Sequence, residues 1–389
     1  MKRLFYTVIF VLGFSLVNGQ AFEQNQLDSV NFDKLKVKVG ADFALQLQGL
    51  SHEAPNSAAS LVELKKNFNL PTANLHITAD LAPGVQLYIN NFMSSRHHNE
   101  AWVEGGYLII DKLPFLPAAD KLMENITIKA GVMTPDYGDA HYYRSTNAAV
   151  FANPFVGNWV MDAYTTNPGI EIMYRTNGII AMVGTNNGRL NYGRGGDFLE
   201  DLVFDWKLGY DSQINEDLRI RATVSGYHVP EGHSGSYLWS GDRAGARYYS
   251  VMDTVGGDNF RSGRWDPSSG QTQMNSYQAA LFASFKGLEL FGFYETMTGV
   301  RGGADQNFTQ IGVQAKYSYK SLYAATRYNI VDNNAGSTVD RFNVGVGWYF
   351  VDNVLIKVDY VSQNYNGPAH LHLDGGHFGG LVLEAAISF

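Results

Sequence analysis

Hydrophobic and polar residues alternate along this chain in long stripes. From residue 35 to 47 the odd positions are Leu35, Val37, Val39, Ala41, Phe43, Leu45 and Leu47, with Lys36, Lys38, Asp42 and Gln46 between them. Leu75, Ile77, Ala79 and Leu81 alternate with His76, Thr78 and Asp80. Ile126, Ile128, Ala130 and Val132 flank Lys129, and Ile170, Ile172 and Tyr174 flank Glu171 and Arg175. The same period of two runs through residues 204–211, 218–224, 341–350 and 354–360, and only 178–184 is apolar on both parities. Successive side chains of a strand point to opposite faces, so each stripe reads as a strand with one apolar and one polar face. Its charges fall on one parity. A charge on the lipid side of a membrane barrel costs roughly 2–4 kcal/mol near the midplane, which explains such segregation. A soluble sandwich also alternates, but its strands are shorter than these stripes of about ten residues.

Counting the stripes gives about sixteen strands, the even number a single-chain membrane barrel uses. The predicted fold is therefore all-β, a transmembrane antiparallel barrel. Tight turns are expected at 82–84, 177–178, 212–216, 286–287, 320–321 and 351–353. Longer polar connections lie at 52–71, 135–167, 184–197, 230–272 and 363–377. Short and long alternate, placing short turns on the periplasmic side and long loops outside. The stretch 111–122, with Pro114 and Pro117, is a longer exception on the short side. Tyr107, Tyr174, Tyr210, Tyr317, Trp348 and Phe389 at stripe ends fit interfacial aromatic girdles.

Lys2 and Arg3 precede an apolar run from 4 to 17 and then Gly19, the pattern of a secretory signal peptide cleaved after Gly19. The chain divides accordingly into 1–19 signal, 20–33 N-terminal periplasmic segment and 34–389 barrel. No cysteine is present, which excludes disulfides, thiolate chemistry and a lipid-modified cysteine. The net charge of −8 with no basic patch argues against nucleic acid as a partner. The last stripe, Leu381, Leu383, Ala385, Ile387 and Phe389, ends on an aromatic residue. It is similar to the C-terminal signal by which outer-membrane barrels reach the barrel-assembly machinery.

Sixteen strands enclose an aqueous lumen. The inward parity carries Lys36, Lys38, Lys129, Arg175, Lys207, Arg219, Arg221, Lys316, Arg327, Arg341 and Lys357 against Asp42, Asp80, Glu104, Glu171, Asp205, Asp211, Glu289, Glu295, Asp359 and Glu384. The signs nearly balance, so selectivity depends on the charges at the narrowest point. The loop 135–167 is long and rich in aromatic residues, which is unlike free solvent-exposed chain. It is expected to bend into the barrel, with Arg144, its single Lys or Arg, and Tyr142, Tyr143, Asp136, Asp139 and Asp162 as constriction candidates. The alternatives are a lid over the mouth or a contact between protomers. Inward Phe291, Phe293, Phe308 and Tyr323 leave open a gated channel for hydrophobic substrates, and 230–272 leaves open a receptor or adhesin scaffold.

Enzyme signals are poor. Residues 232–236 imitate a nucleophile elbow but end in Ser236, and 332–336 start like a calcium loop with Asn343 where a bidentate Glu belongs. His370, His372, His377 and Asp374 lie in a glycine-containing loop with no implied ligand geometry. No metal and no cofactor is expected.

The first strand, LKVKVGADFALQLQGL, the segment ITIKAGVMTPDYGDAHYYRS and the terminal Phe resemble outer-membrane porins. The type is sixteen-stranded, distantly similar to phosphate-selective porins O and P, in a branch associated with Bacteroidota. The basic ladder of the phosphate-selective members has no residue-by-residue counterpart here. The resemblance implies an outer-membrane location, surrounding lipid, passive diffusion of small hydrophilic solutes or ions, and a homotrimer as a possible assembly.

Overall fold

The computed structural model describes residues 20–389 apart from 24–25, 28–31, 58, 95–97, 146–148, 191–201, 234, 240–245, 258–260 and 268–271. The segment 1–19, read as a signal peptide, lies outside the described residues. Period-two patterning produces sixteen strands: β1 (Lys36–Glu53), β2 (Asn67–Ala82), β3 (Val85–Ser94), β4 (His98–Ile110), β5 (Ile126–Met133), β6 (Asn167–Thr176), β7 (Ile179–Asn186), β8 (Val203–Gln213), β9 (Leu218–Val229), β10 (Gln273–Phe285), β11 (Leu288–Arg301), β12 (Ala304–Tyr319), β13 (Leu322–Asn333), β14 (Thr338–Val351), β15 (Val354–Asn366) and β16 (His377–Ser388). Each pairs antiparallel with its sequence neighbours, and β1 pairs with β16 from Asp42↔Ser388 to Glu53↔His377, closing the barrel. Ala41 and Phe389 exchange backbone hydrogen bonds of 3.0 and 3.1 Å at the seam. Closure leaves no free sheet edge, the condition for strands to cross hydrocarbon.

The outer face is the apolar parity. Leu281 and Val346 remain 66% and 53% exposed there, while Lys357, Asp359 and Glu384 on the inner parity are fully buried. An apolar belt outside a closed barrel makes this a transmembrane barrel of the outer-membrane type. Hairpins on the short side are tight. Asn177 and Gly178 (φ 50° and 83°) and Lys286 and Gly287 (φ 48° and 85°) both take the left-handed pair that a two-residue hairpin turn requires.

Four features differ from the sequence pattern. Tyr107 points into the lumen rather than to a girdle, with its ring 5.2 Å from that of Tyr88, its partner on β3. A one-residue register shift between Asn90/Asn91 breaks the simple parity of β3 and β4. The strands also run past the stripes, so the first long connection shortens to 54–66. Finally, β11 and β12 are joined by Gly302 and Gly303 alone, a short turn on the side of the long loops. The longer 111–125 connection contains a 3-10 turn (Pro117–Ala119) and one short helix (Asp120–Met123).

Candidate functional site

The lumen is crossed by the β5–β6 connection, residues 134–166. Irregular backbone inside a barrel must find partners for its N–H and C=O groups, and the inner wall supplies them. The Asp136 N–H donates to Glu171 (2.7 Å), that of Gly138 to the Ser225 hydroxyl (2.9 Å) and that of Asp139 to the Gln278 carbonyl (2.7 Å). Further along, the Val156 N–H donates to Asp359 (3.1 Å), that of Val160 to Asn329 (2.7 Å) and that of Met161 to Gln310 (2.9 Å). In the other direction Lys357 donates to the carbonyls of Val150 (2.8 Å) and Asn153 (3.1 Å), and Arg327 to that of Gly157 (2.9 Å). The loop thus runs from β6 past β9 and β10 to β12–β15.

The constriction candidates fall into separate groups. Asp136 accepts from Lys207 Nζ (2.7 Å) and from the Tyr142 hydroxyl (2.5 Å). Asp139 accepts from Arg221 Nε (2.8 Å), Arg221 Nη2 (2.9 Å) and the Thr223 hydroxyl (2.8 Å). Burial opposes ionisation of both carboxyls, and the adjacent Lys207, reinforced at Asp139 by Arg221, outweighs it; Asp139 lies at about 2 and Asp136 lower still. Tyr143 belongs to an apolar cluster, its ring 4.7 Å from Phe291. Arg144 and Asp162 bond within the loop (2.6 Å), and the Arg144 guanidinium lies 4.0 Å over the Tyr164 ring.

A second loop, 230–272, returns into the barrel and locks onto the first. Arg247 donates to the Val156 carbonyl (2.9 Å), pairs with Glu384 (2.9 Å) and reaches the Thr72 hydroxyl (3.1 Å). The Tyr248 hydroxyl donates to Asp359 (2.9 Å), while Gln48 on β1 exchanges two 2.8 Å bonds with the Tyr249 backbone. The Tyr164 N–H donates to the Leu238 carbonyl (2.7 Å) and that of Trp265 to the Val160 carbonyl (3.1 Å). Arg341 donates to the carbonyls of both Asn158 and Gly263, so one guanidinium holds both loops. Gly157 is required where they meet, since a Cβ there would lie 2.4 Å from the Tyr248 hydroxyl.

The apolar inward residues are used for the same purpose. Phe293 meets Trp159 edge-on at 4.8 Å, Phe308 meets Trp265 at 5.1 Å, and the Tyr323 hydroxyl donates to the Pro154 carbonyl (2.9 Å). The wall amides Gln278, Gln310 and Asn329 and the loop residues Trp239, Arg247 and Tyr248 were not singled out by sequence. An amide carries both a donor and an acceptor, which suits docking of irregular backbone; its inward parity was the available signal.

The remaining lumen charges lie elsewhere. Lys36 pairs with Asp33 (2.8 Å) and Lys38 is exposed near the end of β1. Lys129 lies 3.8 Å from Glu171, Arg219 is bidentate on Asp211 (2.6 and 2.8 Å), and Arg175 makes a long 3.5 Å contact to Thr127. Asp42 lies 3.5 Å from His76. Covering of the wall is uneven. Most inward side chains on β12–β16 are buried, whereas β2–β5 mix buried Thr72, Asn74, Asn90 and Thr127 with partly exposed His76, Gln86, Tyr88, Tyr107 and Lys129. Among the described residues no cluster of three or more His, Asp or Glu is placed to hold a metal ion; His370 packs on Trp265 and His377 reaches Ser362.

Solved structures share this architecture at very low identity. The in-vitro folded trimer form of OmpT, an outer membrane protein of Vibrio cholerae, superposes with a TM-score of 0.55 at 11% identity over 92% of this chain and 100% of that one. An anion-selective porin from Comamonas acidovorans gives 0.53 at 12%, over 92% and 100%. OprB of Pseudomonas putida in its high-pH structure gives 0.53 at 10%, over 91% and 94%. The likeness establishes a porin-type sixteen-stranded barrel and does not single out phosphate-selective porins. No protein-family model matches the chain, and no curated protein matches it in sequence.

Proposed function

We infer that the protein is a passive outer-membrane channel for small hydrophilic solutes or ions, narrowed by residues 134–166 and covered by 230–272. The observation that carries this reading is the uneven inner wall: the loops pack most heavily on β8–β16, and His76, Gln86, Tyr88, Tyr107 and Lys129 on β2–β5 keep partial exposure beside the buried Thr72, Asn74, Asn90 and Thr127. The solute path follows His76, Gln86, Tyr88, Tyr107 and Lys129, with Asp136, Asp139, Tyr142, Tyr143 and the Arg144–Asp162 pair as the body of the constriction opposite. Charges of both signs are paired along this path, so the limit is set by width and selectivity is weak. The apolar residues that a channel for hydrophobic substrates needs are committed to loop docking, and the described part of 230–272 turns inward rather than outward.

Purified barrels in planar bilayers test this. A steady, ohmic, low conductance is expected. Thr78→Trp on the open arc of β2 lowers it, while the outward Val344→Phe leaves it unchanged. Absence of any steady conductance, or equal effects of the two substitutions, overturns the reading.

A further inference from the structure

Beneath the first loop, residues 20–23 enter the periplasmic mouth and dock on β8–β11. Phe22 is buried, its ring 5.5 Å from Tyr142, 6.5 Å from Tyr143 and 5.2 Å from Phe282. The Arg221 guanidinium carbon stands 4.3 Å from the Phe22 ring centre, and that of Arg219 5.4 Å. The adjacent Glu23 carboxylate receives Arg221 through both terminal nitrogens, one at 2.7 Å, and lies 3.5 Å from Lys207. Arg219 donates to the Gln20 carbonyl (2.8 Å), and the Gln20 N–H faces Glu289 at 3.4 Å. One guanidinium therefore serves two purposes, its face against an aromatic ring and its edge against a carboxylate.

We propose that this cage is a binding site for small aromatic carboxylates, which the chain's own Phe22 and Glu23 occupy as a tethered competitor. The cage is built without the segment. Arg221 is held by Asp139 (2.8 Å) and Asp211 (3.1 Å), Arg219 by Asp211, and Tyr143 by Phe291, all from the wall or the first loop. Both terminal nitrogens of Arg221 donate to the Glu23 carboxylate while its face and that of Arg219 meet the Phe22 ring, so the site selects a carboxylate with a ring a few bonds away. A tethered segment acts at an effective concentration in the millimolar range, enough to exclude weak free ligands of the same chemistry.

The probe is para-fluorophenylpropanoate, read by fluorine NMR on the full mature protein folded in detergent, beside the matching amide that lacks the carboxylate. Phe22→Ser/Glu23→Gln vacates the cage and touches no strand pairing, and Glu23→Gln alone provides a second, milder vacancy. The double variant is expected to bind the probe about tenfold or more tightly than wild type, with Glu23→Gln between them and the amide bound by none. Equal affinity in all chains, no binding in the double variant, or equal binding of the amide overturns the proposal. The readout does not depend on conduction. Barrels that bind the probe in this order but carry no current refute only the channel reading.

Discussion

Lys357→Met removes the charge that fastens the first loop to β15 while keeping an unbranched side chain one atom shorter. The Lys357 ammonium, fully buried, donates to the carbonyls of Val150 (2.8 Å) and Asn153 (3.1 Å) and pairs with Glu384 (2.8 Å). With three protons it makes these three contacts well, and the 3.3 Å approach to Phe155 is secondary. A hydrogen bond from a charged donor contributes about 1.5–3 kcal/mol, so losing two to the loop weakens docking by about 3–6 kcal/mol. Glu384 keeps Arg247 at 2.9 Å, which limits the cost on the wall side. At about 1.4 kcal/mol per decade the undocked population rises by a hundredfold or more. The sixteen-strand ladder loses nothing, so heat-modifiable mobility on gels stays normal. Single-channel recordings should show new brief openings to a larger conductance level, and a protease added from outside should cut within 149–166. A folded Lys357→Met barrel with wild-type current traces and wild-type protection would refute the claim that this contact anchors the loop.

Arg144→Ala leaves Asp162 buried without its 2.6 Å partner, so the expected effect is a looser loop, seen as noisier current with a small rise in conductance. Unchanged noise and conductance count against it. Val346→Arg puts a charge on an outward position that is 53% exposed to lipid and costs roughly 2–4 kcal/mol; refolding yield into vesicles should fall, and an unchanged yield contradicts the outward assignment. Phe389→Ser removes an outward ring but keeps the backbone bonds to Ala41, so assembly should slow in cells while barrels already folded remain as stable as wild type. The Asp139 carboxyl is depressed to about 2, so its contribution to loop docking is complete above its ordinary value and is lost only as pH falls through about 2. Conductance should be flat from neutral pH to about 4 as far as this contact is concerned; a transition at pH 5–6 that Asp139→Asn abolishes would contradict the assignment.

The wall was legible because lipid enforces a one-residue rule. Val37, Val39 and Phe43 face hydrocarbon while Lys36 and Asp42 do not, and this repeats wherever a strand is regular. Tyr107 escaped that rule because the register shift at Asn90/Asn91, where β4 carries Glu104 as one extra residue, resets the parity locally. Inside the barrel, partners are chosen by distance in space. Arg247 meets Glu384 and Thr72, and Tyr248 meets Asp359, residues more than a hundred positions away in sequence. Nothing in the composition of 230–272 distinguishes a loop that returns inward from one that stands outside. Likewise, inward charges read as a sum looked like a wet, balanced lumen. Their geometry shows instead that Arg327, Arg341 and Lys357 each commit at least one donor to a loop carbonyl.

Because Arg341 grips the carbonyls of Asn158 and Gly263 together, the two loops are thermodynamically linked. Whatever loosens one raises the free energy of the other by the same coupling term, and the relation holds in both directions. A ligand seized at the outer surface by 230–272 would therefore be felt at the constriction without touching it. A solute lodged in the constriction would stiffen the surface in return. In current traces, opening steps of the two loops should appear correlated, as one gate with two handles.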